Sequence, residues 1–143
     1  MNSPNAPAPA IESIVETAVY ADDLDRLESY SSVLGLPVLG REKGRHVFFR
    51  VGTGSVLLAF KPDSTLKGDV LPAHGAGGPG HFAMGIRADL LYSWRQHLLA
   101  GGVAIEKEVQ WPRGGRSLYF RDPAGNCLEL ASPLVWGMRD QQA

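Results

Sequence analysis

Three residues able to hold a cation or move a proton each stand alone among small or apolar neighbours. They are Glu16 in Glu16-Thr17-Ala18-Val19, His81 in His81-Phe82-Ala83-Met84 and Glu129 in Cys127-Leu128-Glu129-Leu130. Each segment alternates in the manner of a strand, whose successive side chains point to opposite faces. Val15, Thr17 and Val19 then share one face, and Glu16 and Ala18 share the other. Phe82, Met84 and Ile86 lie opposite His81, Ala83 and Gly85, while Leu128 and Leu130 lie opposite Cys127, Glu129 and Ala131. The bulky face is expected to pack on helices. The other leaves room for a metal ion or small ligand and reads as a cavity wall. The ordinary alternatives are a Glu16–Arg116 ion pair, a buried His81 and an edge-strand Glu129 facing water.

The elements that must position these groups come in two copies. Arg45-His46-Val47-Phe48-Phe49-Arg50 returns 71 positions later as Arg116-Ser117-Leu118-Tyr119-Phe120-Arg121. Asp23-Leu24 and Gly35 return as Asp89-Leu90 and Gly101, 66 positions later. Each half reads as a strand, a helix capped by Asp22, Asp23 or Asp89 and closed by Gly35 or Gly101, then three strands. The strands are expected near 13–20, 37–42, 46–51 and 55–61, then 81–87, 103–110, 116–121 and 127–131. The helices carry Leu24, Leu27, Tyr30 and Leu34 in one half and Leu90, Trp94 and Leu98 in the other on their inner faces. Strand alternation sends Val47, Phe49, Leu118 and Phe120 toward the helices, and His46, Phe48, Ser117 and Tyr119 into the cavity. The fold class is therefore α+β: two βαβββ modules in one chain, with curled mixed sheets around a cavity.

The expected division is an arm over 1–10, a single domain over 11–136 and a tail over 137–143. Within the domain, module one covers about 11–61, a linker 62–79, and module two about 80–133. With 14 basic and 15 acidic residues the net charge is −1, so neither nucleic acid nor an anionic membrane is an expected partner. The opening MNSPNAPAPA does not read as a secretory signal, and the single cysteine, Cys127, excludes an internal disulfide and suits a reducing cytoplasm. The Gly75–Gly80 run precedes a strand rather than opening a helix, which argues against phosphate binding and for a mobile lid or a tight connection beside His81.

The segments ETAVYADDLDRLESYSSVLGL, GHFAMGI and YFRDPAGNCLEL resemble the vicinal oxygen chelate superfamily, which includes glyoxalase I, bleomycin-resistance proteins, fosfomycin-resistance thiol transferases and extradiol dioxygenases. The resemblance covers about residues 11–133 and implies the paired βαβββ fold. Carried over residue by residue, its metal ligands fall on Glu16, His81 and Glu129, the three residues chosen by the face pattern. The repeat carries Glu129 onto Leu58, so that strand of the first half supplies no further ligand. One imidazole and two carboxylates suit one divalent ion among Zn²⁺, Mn²⁺, Fe²⁺, Ni²⁺ and Co²⁺.

The implied activity is a metal-dependent lyase, isomerase or thiol transferase acting on a small organic substrate that chelates through paired oxygens. The alternatives are a metal-free bleomycin-resistance-type binding protein and an Fe(II) extradiol dioxygenase. Glu129, Tyr119 and His46 are the expected catalytic residues, and Phe48, Leu58, Arg113, Arg116 and Ser117 the expected substrate contacts. A homodimer is expected, with Val135 and Trp136 capping a partner or closing the chain's own cavity.

Overall fold

The computed structural model describes residues 7–68 and 70–139, so part of the expected arm and tail lies outside the described residues. Its strands are β1 (Glu16–Tyr20), β2 (Val38–Glu42), β3 (His46–Val51) and β4 (Ser55–Phe60), then β5 (His81–Gly85), β6 (Lys107–Gln110), β7 (Arg116–Arg121) and β8 (Cys127–Ala131). They form two four-stranded mixed sheets, ordered β1-β4-β3-β2 and β5-β8-β7-β6. In each, the first strand lies parallel to the last and the other pairs are antiparallel. The duplication is visible in the register: Phe48 faces Leu58 across β3 and β4, as Tyr119 faces Glu129 across β7 and β8. The α+β class and duplicated architecture are those expected from the sequence.

Several local details differ from expectation. The first helical segment is a 3₁₀ turn over Leu24–Glu28 running into a short α1 (Ser29–Ser32). Leu24, Leu27 and Tyr30 recur every three residues, the 3₁₀ period, and Ser29, Ser31 and Ser32 are modest helix formers. Asp23 does cap this turn, accepting from the Asp25 amide at 3.1 Å. Asp89 lies inside a 3₁₀ turn over Ala88–Leu90 that leads into α3 (Leu91–Ala100), and it pairs with Arg87 instead of capping. That helix is closed by Gly102 at φ 78°, because the Gly101 amide still bonds His97 O and Gly101 keeps a negative φ. The linker contains a further short helix, α2 (Pro62–Leu66), begun by a proline whose fixed φ suits a first turn.

Val47, Phe49, Leu118 and Phe120 all join the core against Leu27, Tyr30 and Leu98, as alternation required. The two halves are tied by a buried polar knot. The Tyr30 phenol donates to Asp122 Oδ2 at 2.6 Å. That oxygen also receives Asn126 Nδ2, while Oδ1 takes the amides of Ala124 and Asn126. Asn126 Oδ1 in turn accepts from the Gly80 amide, fixing the entry to β5 one residue before His81. Among the described residues, no helix is long and apolar enough to cross a membrane.

Candidate functional site

Parallel pairing of β5 with β8 sets His81 beside Cys127 and Ala83 beside Glu129. The His81 ring turns back so that Nδ1 lies 2.8 Å from the Cys127 carbonyl. A carbonyl only accepts, so Nδ1 carries a proton, and Nε2 is the ring nitrogen left to face the cavity. Nε2 lies 3.4 Å from Glu129 Oε1. The other carboxylate oxygen, Oε2, takes a short hydrogen bond from the hydroxyl of Ser117, which itself receives the Trp111 indole N–H at 2.8 Å. Glu129 is buried, not an edge acid facing water. Tyr119, opposite Glu129 on β7, has its phenol pushed above the ordinary range, first by burial and then by the carboxylate charge.

These groups border a cavity of about 390 Å³. The sheet contributes His81, Tyr119 and Glu129; the β6–β7 hairpin adds Trp111, Pro112 and Arg113; a 3₁₀ turn over Pro133–Trp136 adds Val135 and Trp136. Arg113 donates to Trp136 O at 3.3 Å, linking the hairpin to the turn. Gly115, at φ 77°, sits where an added Cβ would come 3.1 Å from Val135. Val135 and Trp136 thus line the chain's own cavity, with Trp136 still 70% exposed.

The remaining expected residues lie elsewhere. Glu16 is exposed on β1 of the other sheet, and among the described residues no three His, Cys, Asp or Glu are grouped to hold a metal ion. Phe48, Leu58 and His46 also belong to that sheet and do not line this cavity. The His46 ring stacks on Phe48 at 4.0 Å, and burial, outweighing Glu42, lowers its pKa. Arg116 points to Glu108 and Gln110 on β6 rather than into the cavity or toward Glu16. Ser117 is wholly buried behind Glu129, so it is a support for the carboxylate and not a surface for substrate. Ala76, Gly77 and Gly78 line a different hollow, of about 630 Å³, with Asp22, Asp23 and Arg26, and are not among the residues lining the His81 cavity.

A family model for the Glyoxalase/Bleomycin resistance protein/Dioxygenase superfamily matches residues 13–130. The chain belongs to that superfamily. Among solved structures it is similar to a lactoylglutathione lyase from Agrobacterium tumefaciens, at 37% identity over 91% of this chain and 100% of that one, with a TM-score of 0.86. A glyoxalase/bleomycin resistance protein/dioxygenase from Nocardioides shares the fold at 21% identity, over 95% of this chain and 93% of that one, with a TM-score of 0.70. No match was found among the curated proteins. Within this superfamily member, sequence reasoning missed the partners of the site residues. The Cys127 carbonyl has no side-chain signature, and the Trp111–Ser117 bond spans a hairpin whose closure only the folded chain shows.

Proposed function

We propose that the protein is a metal-dependent lyase or isomerase acting on a small organic substrate with two adjacent oxygens. The observation that carries this is the His81–Glu129 pair, an imidazole oriented through Nδ1 by the Cys127 carbonyl so that Nε2 faces a carboxylate oxygen across one cavity. The donor chemistry fits a divalent ion, with two donors per chain. Glu16, exposed on the first sheet, would complete the set as a third ligand from a second copy in a homodimer. Bound there, the ion would polarise the substrate oxygens and stabilise charge developing on them.

The protein's own groups do the rest. Glu129 Oε1 is the oxygen left facing the cavity, for the ion or for a substrate proton, while Oε2 stays held by Ser117. Tyr119, kept protonated by burial and by the neighbouring carboxylate, donates a hydrogen bond to a substrate oxygen. The indoles of Trp111 and Trp136 receive a flat or apolar body, and the Arg113 guanidinium receives an anionic group. The similarity to a lactoylglutathione lyase supports this reaction class. A second reading, a metal-free small-molecule binder, draws on the same apolar walls and on the two-donor limit within one chain.

Metal analysis of protein purified without chelator or affinity tag, with a lactoylglutathione lyase assay, tests the reading. About one divalent ion per chain is expected, lost together with activity in His81→Ala plus Glu129→Ala. Full occupancy in that double variant overturns the ligand assignment, and a metal-free wild type that still binds ligands favours the second reading.

A further inference from the structure

Glu129 is a long side chain with three rotatable bonds, yet its two oxygens have separate tasks: Oε1 faces His81 and Oε2 faces inward. A buried carboxylate needs donors, and a freely rotating one would present either oxygen to the cavity. Ser117 lies diagonally across the β7–β8 ladder on the same face, close enough to reach it. The direction of the chain of bonds is fixed by chemistry. An indole N–H only donates, so Ser117 Oγ accepts from Trp111 and must spend its single proton on Glu129.

We propose that Trp111 and Ser117 are positioning residues that lock the Glu129 carboxylate in one orientation, and that Trp111 couples cavity occupancy to it. Trp111 is the joint because one indole does both jobs: its N–H enters the relay, and the residue lines the cavity. Its own place is set by the hairpin, where the Trp111 amide bonds Gly115 O and Trp111 O accepts from the Gly114 amide. A ligand that presses on the indole therefore acts on the bond that orients the base. Selectivity follows: a molecule that fits against Trp111 leaves the relay aligned, and one that displaces the indole releases Oε2. The coupling to catalysis rests on the reading of Glu129 proposed above, whereas the relay itself does not.

The test has two arms on the full chain. In protein labelled with ¹⁵N-tryptophan, Glu129→Gln should move the Trp111 indole N–H resonance and leave that of Trp94, on α3, in place. Ser117→Ala should speed solvent exchange of the Trp111 indole proton at least about tenfold, and Ser117→Thr should restore its protection. In the second arm, Co²⁺ alone is titrated into metal-free protein. Ser117→Ala and Trp111→Phe should weaken Co²⁺ binding about 10–100-fold, the usual effect of removing a support behind a ligand, and Ser117→Thr should recover most of it. An indole resonance indifferent to Glu129→Gln, or Co²⁺ affinity indifferent to Ser117→Ala, overturns the proposal. A wild type that shows the indole coupling but takes up no Co²⁺ supports the relay and overturns the metal reading instead.

Discussion

Replacing Tyr30 with phenylalanine removes one oxygen from the knot that joins the two halves and nothing else. The ring stays packed, 5.5 Å from Phe49 and 6.3 Å from Phe82 between centroids, so no cavity opens. What is lost is a buried hydrogen bond to a carboxylate, a kind worth roughly 1.5–3 kcal/mol. Asp122 keeps its other three donors, from Ala124 and the backbone and side chain of Asn126, so its charge is not stranded. That places the cost at the low end, about 1.5–2 kcal/mol. For a domain of this size the melting temperature should fall by roughly 5–8 °C. Urea unfolding of wild type, Tyr30→Phe, Asp122→Asn and the double variant gives the coupling directly, and most of the Tyr30 cost should vanish once Asp122 is changed. A Tyr30→Phe loss below about 0.5 kcal/mol, or a loss unchanged in the Asp122→Asn background, would refute the reasoning.

The same phenol carries a pH signature. Burial, then Asp122, raises its pKa, so its stabilisation is complete below the unfolded value of about 10 and fades as pH rises beyond it. Urea midpoints at pH 9 and 11 should therefore show the stability gap between wild type and Tyr30→Phe narrowing at the higher pH; a constant gap contradicts the assignment. Phe120→Ala, on the core face of β7, should cost roughly 3–5 kcal/mol, while Tyr119→Phe next to it should leave stability nearly unchanged and reduce turnover. Calorimetry with a lactoylglutathione lyase assay separates the two, and a loss of activity without stability in Phe120→Ala would reverse the face assignment. Sedimentation at micromolar concentration should show a dimer, and a lone 15.4 kDa species would remove Glu16 from the metal site.

The alternation of apolar residues made the strands and their two faces legible, because burial on one side is written into every second residue. It correctly sent Phe49 and Phe120 inward and Phe48 and Tyr119 to the opposite face. A face, however, belongs to one sheet. Alternation does not say which sheet faces which, so it groups His46, Phe48 and Leu58 with His81 although they lie on another sheet. The glycine that closes α3 is ambiguous in the sequence because two adjacent glycines satisfy the same pattern, and the Gly101 hydrogen bond and the positive φ of Gly102 distinguish them. Ser117 read as a substrate contact because a serine on a cavity-facing strand looks available. Its bonds to Trp111 and Glu129 remove it from solvent.

The pairing of first strand with last inside each half also bears on how the chain folds. Every ladder between strands joins residues of the same half, the widest being Glu16 with Val56 and His81 with Cys127, about 40 and 46 positions apart. The entropy of closing such loops grows only with the logarithm of their length, and neither closure waits for the other half. The two sheets can thus assemble side by side in time, leaving their docking as the late event. The Tyr30–Asp122 bond belongs to that event, so its removal should hasten unfolding while refolding keeps nearly its original rate.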